Sequence, residues 1–155
     1  METTSWNCDS CGQPIQEADH GWVEWIEFAT GSPKHGTGRD LRLVHHVPHS
    51  PSGASQINQK CEYAADEGLV HDVSLTSVQG PNGLMLLLTL LSDGVLPKEE
   101  VLEMIKRVRI PGYENARLYF SAAISAGVFE PNTKARYYFD HQIEATNEWA
   151  ESQED

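Results

Sequence analysis

The sequence predicts an α+β fold in which a β-hairpin lobe packs on a helical lobe. Two observations carry this. Residues 21–28 and 41–47 are rich in Trp, Phe, Ile, Leu and Val and alternate in the period-2 manner of half-buried strands. Residues 82–149 turn to apolar stripes of helical period, punctuated by Gly and Pro. The division falls at residues 1–75 for the β lobe and 80–150 for the helices, with 151–155 as an acidic tail. At 155 residues and 17.3 kDa, one domain or two small lobes fit the length.

Taken in order, the strands 21–28 and 41–47 are expected to pair as a hairpin. Their connection, 29–40, contains Gly31, Pro33, Gly36 and Gly38 and is too long for a tight turn, so an exposed, mobile tip is expected. A second loop, rich in Pro, Ser and Gly, covers 48–55. The first helix is expected from an Asn82 N-cap through Leu91 to a stop at Gly94, buried because its run Leu84–Leu91 is almost wholly apolar. Pro97 at a first-turn position opens the second, with Val101, Leu102, Ile105 and Val108 as its stripe, until Pro111-Gly112 breaks it. A third from Tyr113 places Ala116, Tyr119, Phe120, Ala123 and Ile124 on one face and stops at Gly127, giving a helix-turn-helix-like unit. Residues 128–132 and 137–139 then form a β-wing or an extended strap. A last helix from Asp140 is anchored by Ile143 and Trp149.

Composition narrows the function classes. Eleven basic residues against 23 acidic ones give a net charge of -12, which repels nucleic acid and anionic membranes at long range. The charge is uneven: four basic against 11 acidic in 1–80, seven against six in 81–139, and six acidic with none basic in 140–155. The polar, acidic N-terminus is not followed by the apolar run of a secretory signal, and no stretch is long enough for a transmembrane helix, so a cytoplasmic protein without membrane contact is expected. Three cysteines, an odd number, argue against a disulfide framework.

Cys8-Asp9-Ser10-Cys11 has the two-residue gap that lets one turn aim both sulfurs at an ion, and Gly12 relieves crowding behind it. A redox dithiol of this spacing normally opens a helix after a strand, and Trp6-Asn7 is not expected to form a strand. A structural zinc needs four ligands, and no second Cys-x-x-Cys exists. Cys61 is the remaining thiol. Alternation places Leu41, Leu43, His45 and Val47 on one face and Arg42, Val44 and His46 on the other, so one of the paired histidines reaches the metal. His45 is favoured over His46, with His20, His35, His49 and His71 less well placed. The expected set is therefore Cys8, Cys11, His45 and Cys61 around one structural zinc, making the β lobe zinc-ribbon-like.

Cys8 to Cys11, then Leu43-Val44-His45-His46-Val47-Pro48, a Gly53 turn, Asn58 and Cys61 resemble the order of elements in zinc-supported HNH endonucleases. That resemblance, over residues 8–61, implies that His46 activates water, His45 binds a catalytic cation and Asn58 orients the loop. Ala64 stands where the family's last cysteine belongs, and no metal-binding His or Asn follows on the next helix. Those departures favour His45 as a zinc ligand. The segments 96–102, 110–117 and 127–132 are similar to those of uncharacterised small bacterial and phage proteins with an N-terminal Cys-x-x-Cys, which implies a bacterial or phage origin but no activity.

Contact residues are sought in the second half. Lys106, Arg107, Arg109, Arg117, Lys134 and Arg136 are its basic concentration, and in a helix-turn-helix protein they would meet DNA phosphates. The reading head would be Glu114, Asn115, Arg117, Leu118 and Ser121, which is meagre. The plainer alternative pairs these cations with Glu99, Glu100, Glu103 and the tail. Of Trp22 and Trp25 at least one faces outward if the strand is regular, and Trp25 joins Arg107, Arg109 and Arg117 as the expected contact residues. The function expected is a non-catalytic zinc-binding module or regulator with a protein partner first and DNA second. A divergent HNH-like metal-dependent nuclease is the alternative.

Overall fold

In a computed structural model, which describes residues 3–28, 33–34, 36–51, 60–64 and 68–154, the chain is α+β. Short strands β1 (Trp6–Asn7) and β2 (Pro14–Ile15) pair antiparallel. A strand at Trp6–Asn7 corrects the sequence expectation, but the turn at 8–11 leads to a second strand and not to a helix. A second sheet has β3 (Gly21–Glu27) between β4 (Gly38–His45) and β5 (Leu69–Ser74), all antiparallel. Helices α1 (Gly80–Asp93), α2 (Lys98–Arg109), α3 (Tyr113–Ala116), α4 (Phe120–Ser125) and α5 (Asp140–Ser152) follow. None of these helices is long and apolar enough to cross a membrane.

The expected hairpin is present as β3 and β4, but a third strand, β5, covers the other edge of β3. β3 is thus central and buried on both faces: Val23 and Trp25 on one, Glu24 and Ile26 on the other. A bulge shifts the register between Glu24 and Ile26, which oppose Arg42 and Arg39 respectively, and Asp40 inside it has a left-handed φ of 59°. Trp25, expected at a contact surface, is 7% exposed and packs with Leu96 and Val101. Trp22 is the half-buried one, its ring stacked on His46. The tip of the connection, residues 29–32 and 35, and residues 52–59, which include the end of the second loop, lie outside the described residues.

The helical half corrects several details. Gln79, not Asn82, is the N-cap of α1, while Gly94 ends it in the left-handed conformation as expected. The apolar run of α1 is not fully buried. Leu87 is, but Met85 and Leu88 are 64% and 41% exposed, because a run apolar all round has neighbours on one side only. On α2 the buried positions are Val101, Met104, Arg107 and Val108, and Leu102 is peripheral. The third helix breaks at 117–119, where Arg117 turns back to Glu103 at 3.2 Å and Phe120 packs against Phe129 and Tyr138. Those two aromatics belong to segments without strand structure, so 128–139 is a strap and not a wing. Ile143 anchors α5 together with Gln142, Thr146 and Ala150; Trp149 is half-exposed.

The largest core ignores the boundary near residue 80. Trp6, Cys8, Ile15, Val23, Leu43, Val44 and Cys61 pack in one cluster with Leu87, Met104 and Val108. Gly83 sits at its tightest point: a Cβ there would lie 2.0 Å from the Val78 carbonyl carbon. Since backbone cannot yield as a side-chain tip does, Gly83→Ala is expected to cost about 3 kcal/mol, the upper part of the overpacking range, in a urea denaturation series.

Candidate metal centre

The knuckle between β1 and β2 is built by its backbone. The Cys8 N–H donates to Gln13 O at 3.0 Å, the Gly12 N–H to Cys8 O at 2.9 Å, and the Gln13 N–H to Cys11 Sγ at 3.4 Å. Gly12 supplies the left-handed φ of 76° that this tight return requires. Asp9 fastens the knuckle to β4, its N–H donating to Leu43 O at 2.8 Å and its carboxylate accepting the Leu43 N–H at 2.8 Å. That pair of bonds brings the knuckle beside the end of β4, where His45 stands.

The four expected ligands converge. Cys8, Cys11, His45 and Cys61 offer donor atoms that all lie within 4.8 Å of one another. His45 Nδ1 is 3.5 Å from Cys11 Sγ and 3.6 Å from Cys61 Sγ, while its Nε2 lies 3.1 Å from Pro14 O. A tetrahedral ion with Zn–S near 2.3 Å and Zn–N near 2.05 Å requires an S···N separation of about 3.6 Å. The two nitrogen–sulfur distances match that value. The outer ring nitrogen donates to the Pro14 carbonyl, which fixes the tautomer with Nδ1 lone pair inward. Cys8, His45 and Cys61 are buried and Cys11 is partly exposed. Cys61 is held by its N–H to Ser50 Oγ at 3.2 Å and by Arg42 Nη2 donating to its carbonyl at 2.9 Å.

Burial sets the protonation states with which a metal would have to compete. Without an ion, burial pushes the Cys61 thiol up to about 12 and raises Cys11, while burial lowers His45. The histidine is thus kept neutral, the form that ligates, and the thiols must release their protons to a metal. Protons compete with the ion, so affinity falls as pH falls. With three thiols, chelator competition is expected to show up to about a thousandfold weaker binding at pH 6 than at pH 7.

Other expected site residues are placed differently. His46 stacks on Trp22 with centroids 4.1 Å apart, its Nδ1 3.4 Å from Glu62 Oε1. His20 and His49 stack on each other at 3.9 Å, and His71 lies 3.1 Å from Glu27. His35, Gly53 and Asn58 lie outside the described residues. Arg107, expected on the surface, is 3% exposed. Its guanidinium binds both Glu114 oxygens, at 2.7 and 2.8 Å, and Asp9 Oδ2 at 2.6 Å, and donates to Asn7 O at 3.1 Å. Glu114, assigned to an outer face from the sequence, is buried in the same network. Arg117 is committed to Glu103, and Arg109 is half-buried near the end of α2.

Sequence reasoning missed this buried network because charges are ordinarily read as surface. A signal existed: Met104 and Val108 bracket position 107 on the apolar stripe of α2. It also missed Glu24, buried on β3, whose carboxylate accepts from Arg42 Nε at 2.7 Å and from the Tyr63 N–H at 3.0 Å. Burial raises Glu24 above the usual carboxylate range despite those bonds. Comparison with known families, curated proteins and solved structures finds no match to this chain.

Proposed function

We propose that the protein is a non-catalytic binding module held in shape by one structural zinc on Cys8, Cys11, His45 and Cys61, and that it acts through contacts with another protein. The observation that carries this reading is the convergence of four protein donors on one point. A catalytic zinc keeps a position open for water behind three protein ligands, whereas a Cys3His set fills the tetrahedron. Three thiolates and an imidazole also suit zinc better than the oxygen-seeking magnesium or calcium.

The protein partner is supported by charge. A chain of net charge -12 gains no long-range attraction to a polyanion. Arg107 and Arg117, the side chains expected on phosphates, are paired with carboxylates inside the chain. In the nuclease alternative His45 would serve a catalytic cation, but its Nδ1 faces two sulfurs.

Zinc-loaded protein with added magnesium or manganese is expected to leave double-stranded DNA uncut and to shift no DNA in gels at physiological salt. Removing the zinc with a high-affinity chelator should red-shift the emission of buried Trp6, which shares the core with Cys8 and Cys61. DNA cleavage that His46→Ala abolishes without releasing zinc would overturn the reading.

A further inference from the structure

A cleft of about 760 Å³ opens between the bulged stretch of β4, α2 and the strap at 134–137. Its volume is that of a small-molecule site. Two independent features distinguish it, one in the backbone and one in the charges.

Among the described residues, the non-glycine positions with left-handed φ are Asp40, at 59°, and Arg136, at 72°, and both line this cleft. Asp tolerates that conformation because its short side chain bonds locally, but a long Arg side chain has no such reason. Backbone strain of this kind collects at ligand clamps and persists only where the surroundings enforce it. Lys106 Nζ donates to Arg136 O at 2.8 Å, tying this turn of the strap to α2.

Six of the chain's 11 basic residues line the cleft, although the molecule as a whole is strongly acidic. On the side of α2 and the strap, Lys106 and Arg117 share one carboxylate, Glu103, at 3.1 and 3.2 Å. Burial alone would raise Glu103, yet the bonds from Tyr113, Lys106 and Arg117 hold it below the usual range, so it is ionised. Lys134 and Arg136 have no ion-pair partner among the described residues. Lys134 and Lys106 instead lie over the ring of Tyr137, at 5.3 and 4.3 Å from its centroid. The remaining acids of the cleft are engaged or set apart: Asp9 pairs with Arg107, Asp40 with Arg39, Glu100 accepts the Leu41 N–H, and Glu99 stands in the first turn of α2, which favours a negative charge. The lining as a whole is close to balanced, with five carboxylates against the six cations and Arg42 and Arg107 further paired with Glu24 and Glu114. The positive charge left for a ligand is that of Lys134 and Arg136, two residues apart on the strap, and an anion between them offsets their mutual repulsion.

We propose that this cleft binds a small oxyanion-bearing molecule, a phosphate ester or a polycarboxylate, with its anionic group between Lys134 and Arg136 and its organic part along Tyr137. The site goes beyond the structural-zinc reading and does not depend on it.

The test titrates the zinc-loaded full chain with adenosine monophosphate, pyrophosphate and citrate, followed by amide NMR against sodium chloride at matched ionic strength. Saturable shifts at residues 134–137 are expected from at least one probe at millimolar concentration or below. A response to the first two assigns the phosphate class, and a response to citrate alone assigns the carboxylate class. Arg136→Gly removes a cation and relieves the left-handed φ, so it should weaken binding about tenfold or more while leaving the melting temperature unchanged or higher. Lys134→Ala should weaken binding in the same direction. Shifts no larger than those from sodium chloride for all three probes, or saturable binding left unchanged by both substitutions, would overturn the proposal.

Discussion

Cys8→Ala is expected to lose the stoichiometric zinc and, with it, the cooperative fold of the whole chain. Structural zinc in small domains binds with an apparent free energy of about 10–16 kcal/mol, and that binding energy is folding energy. Net stabilities of domains run to about 5–15 kcal/mol, so the loss is comparable to everything that holds the chain together. The core around Trp6, Cys8, Ile15 and Cys61 continues into Leu87, Met104 and Val108 of α1 and α2. Unfolding the β region therefore strips the helices of their packing surface. One lowered and broadened thermal transition is expected by circular dichroism, not loss of the β signal with intact helices. A Cys8→Ala protein that kept one equivalent of zinc and an unchanged melting temperature would contradict the ligand assignment.

The second large effect is expected at Arg107. Its guanidinium ties α2 to Glu114 of α3 and to Asp9 and Asn7 of the knuckle, and the Asn7 N–H donates back to Glu114 Oε1 at 3.0 Å. Arg107→Ala would leave the buried Glu114 carboxylate and Asp9 without their cation. Breaking a buried ion pair from one side costs about 3–5 kcal/mol. Because Asp9 lies between Cys8 and Cys11, two of the proposed zinc ligands, zinc affinity should also drop, by about 10–100-fold as for other groups that orient ligands. Urea denaturation and chelator competition measure the two effects separately. Adding Glu114→Gln to Arg107→Met should recover part of the stability, since the pair's coupling is then removed from both sides.

The cluster of Cys8, Cys11, His45 and Cys61 was legible because it rests on local rules. The two-residue gap places Cys8 and Cys11 on one turn, and strand alternation admits only one of His45 and His46, of which the structure brings His45 to the thiols. Cys61 was reachable by elimination, as the last thiol. What escaped the sequence is what depends on distant partners. β5, Leu-Val-His-Asp-Val-Ser, mixes apolar and charged positions, and becomes a strand by pairing along β3 from Trp22 to Glu27. Trp25 turns inward because β3 has neighbours on both edges and cover on both faces, which no local pattern reveals. Arg107 and Asp9 are 98 positions apart, and their pairing is a product of the fold. The strap reading of 128–139 was available from the aromatics, which pack on Phe120 and form no ladder.

The central claim is that Cys8, Cys11, His45 and Cys61 hold one zinc as a closed structural site. X-ray absorption spectroscopy of the purified chain at the zinc edge tests it most directly. The expected result is one zinc per chain with three sulfurs near 2.3 Å and one nitrogen near 2.0 Å. A shell containing water or carboxylate oxygen, two or fewer sulfurs, or a fully folded protein without zinc would contradict it.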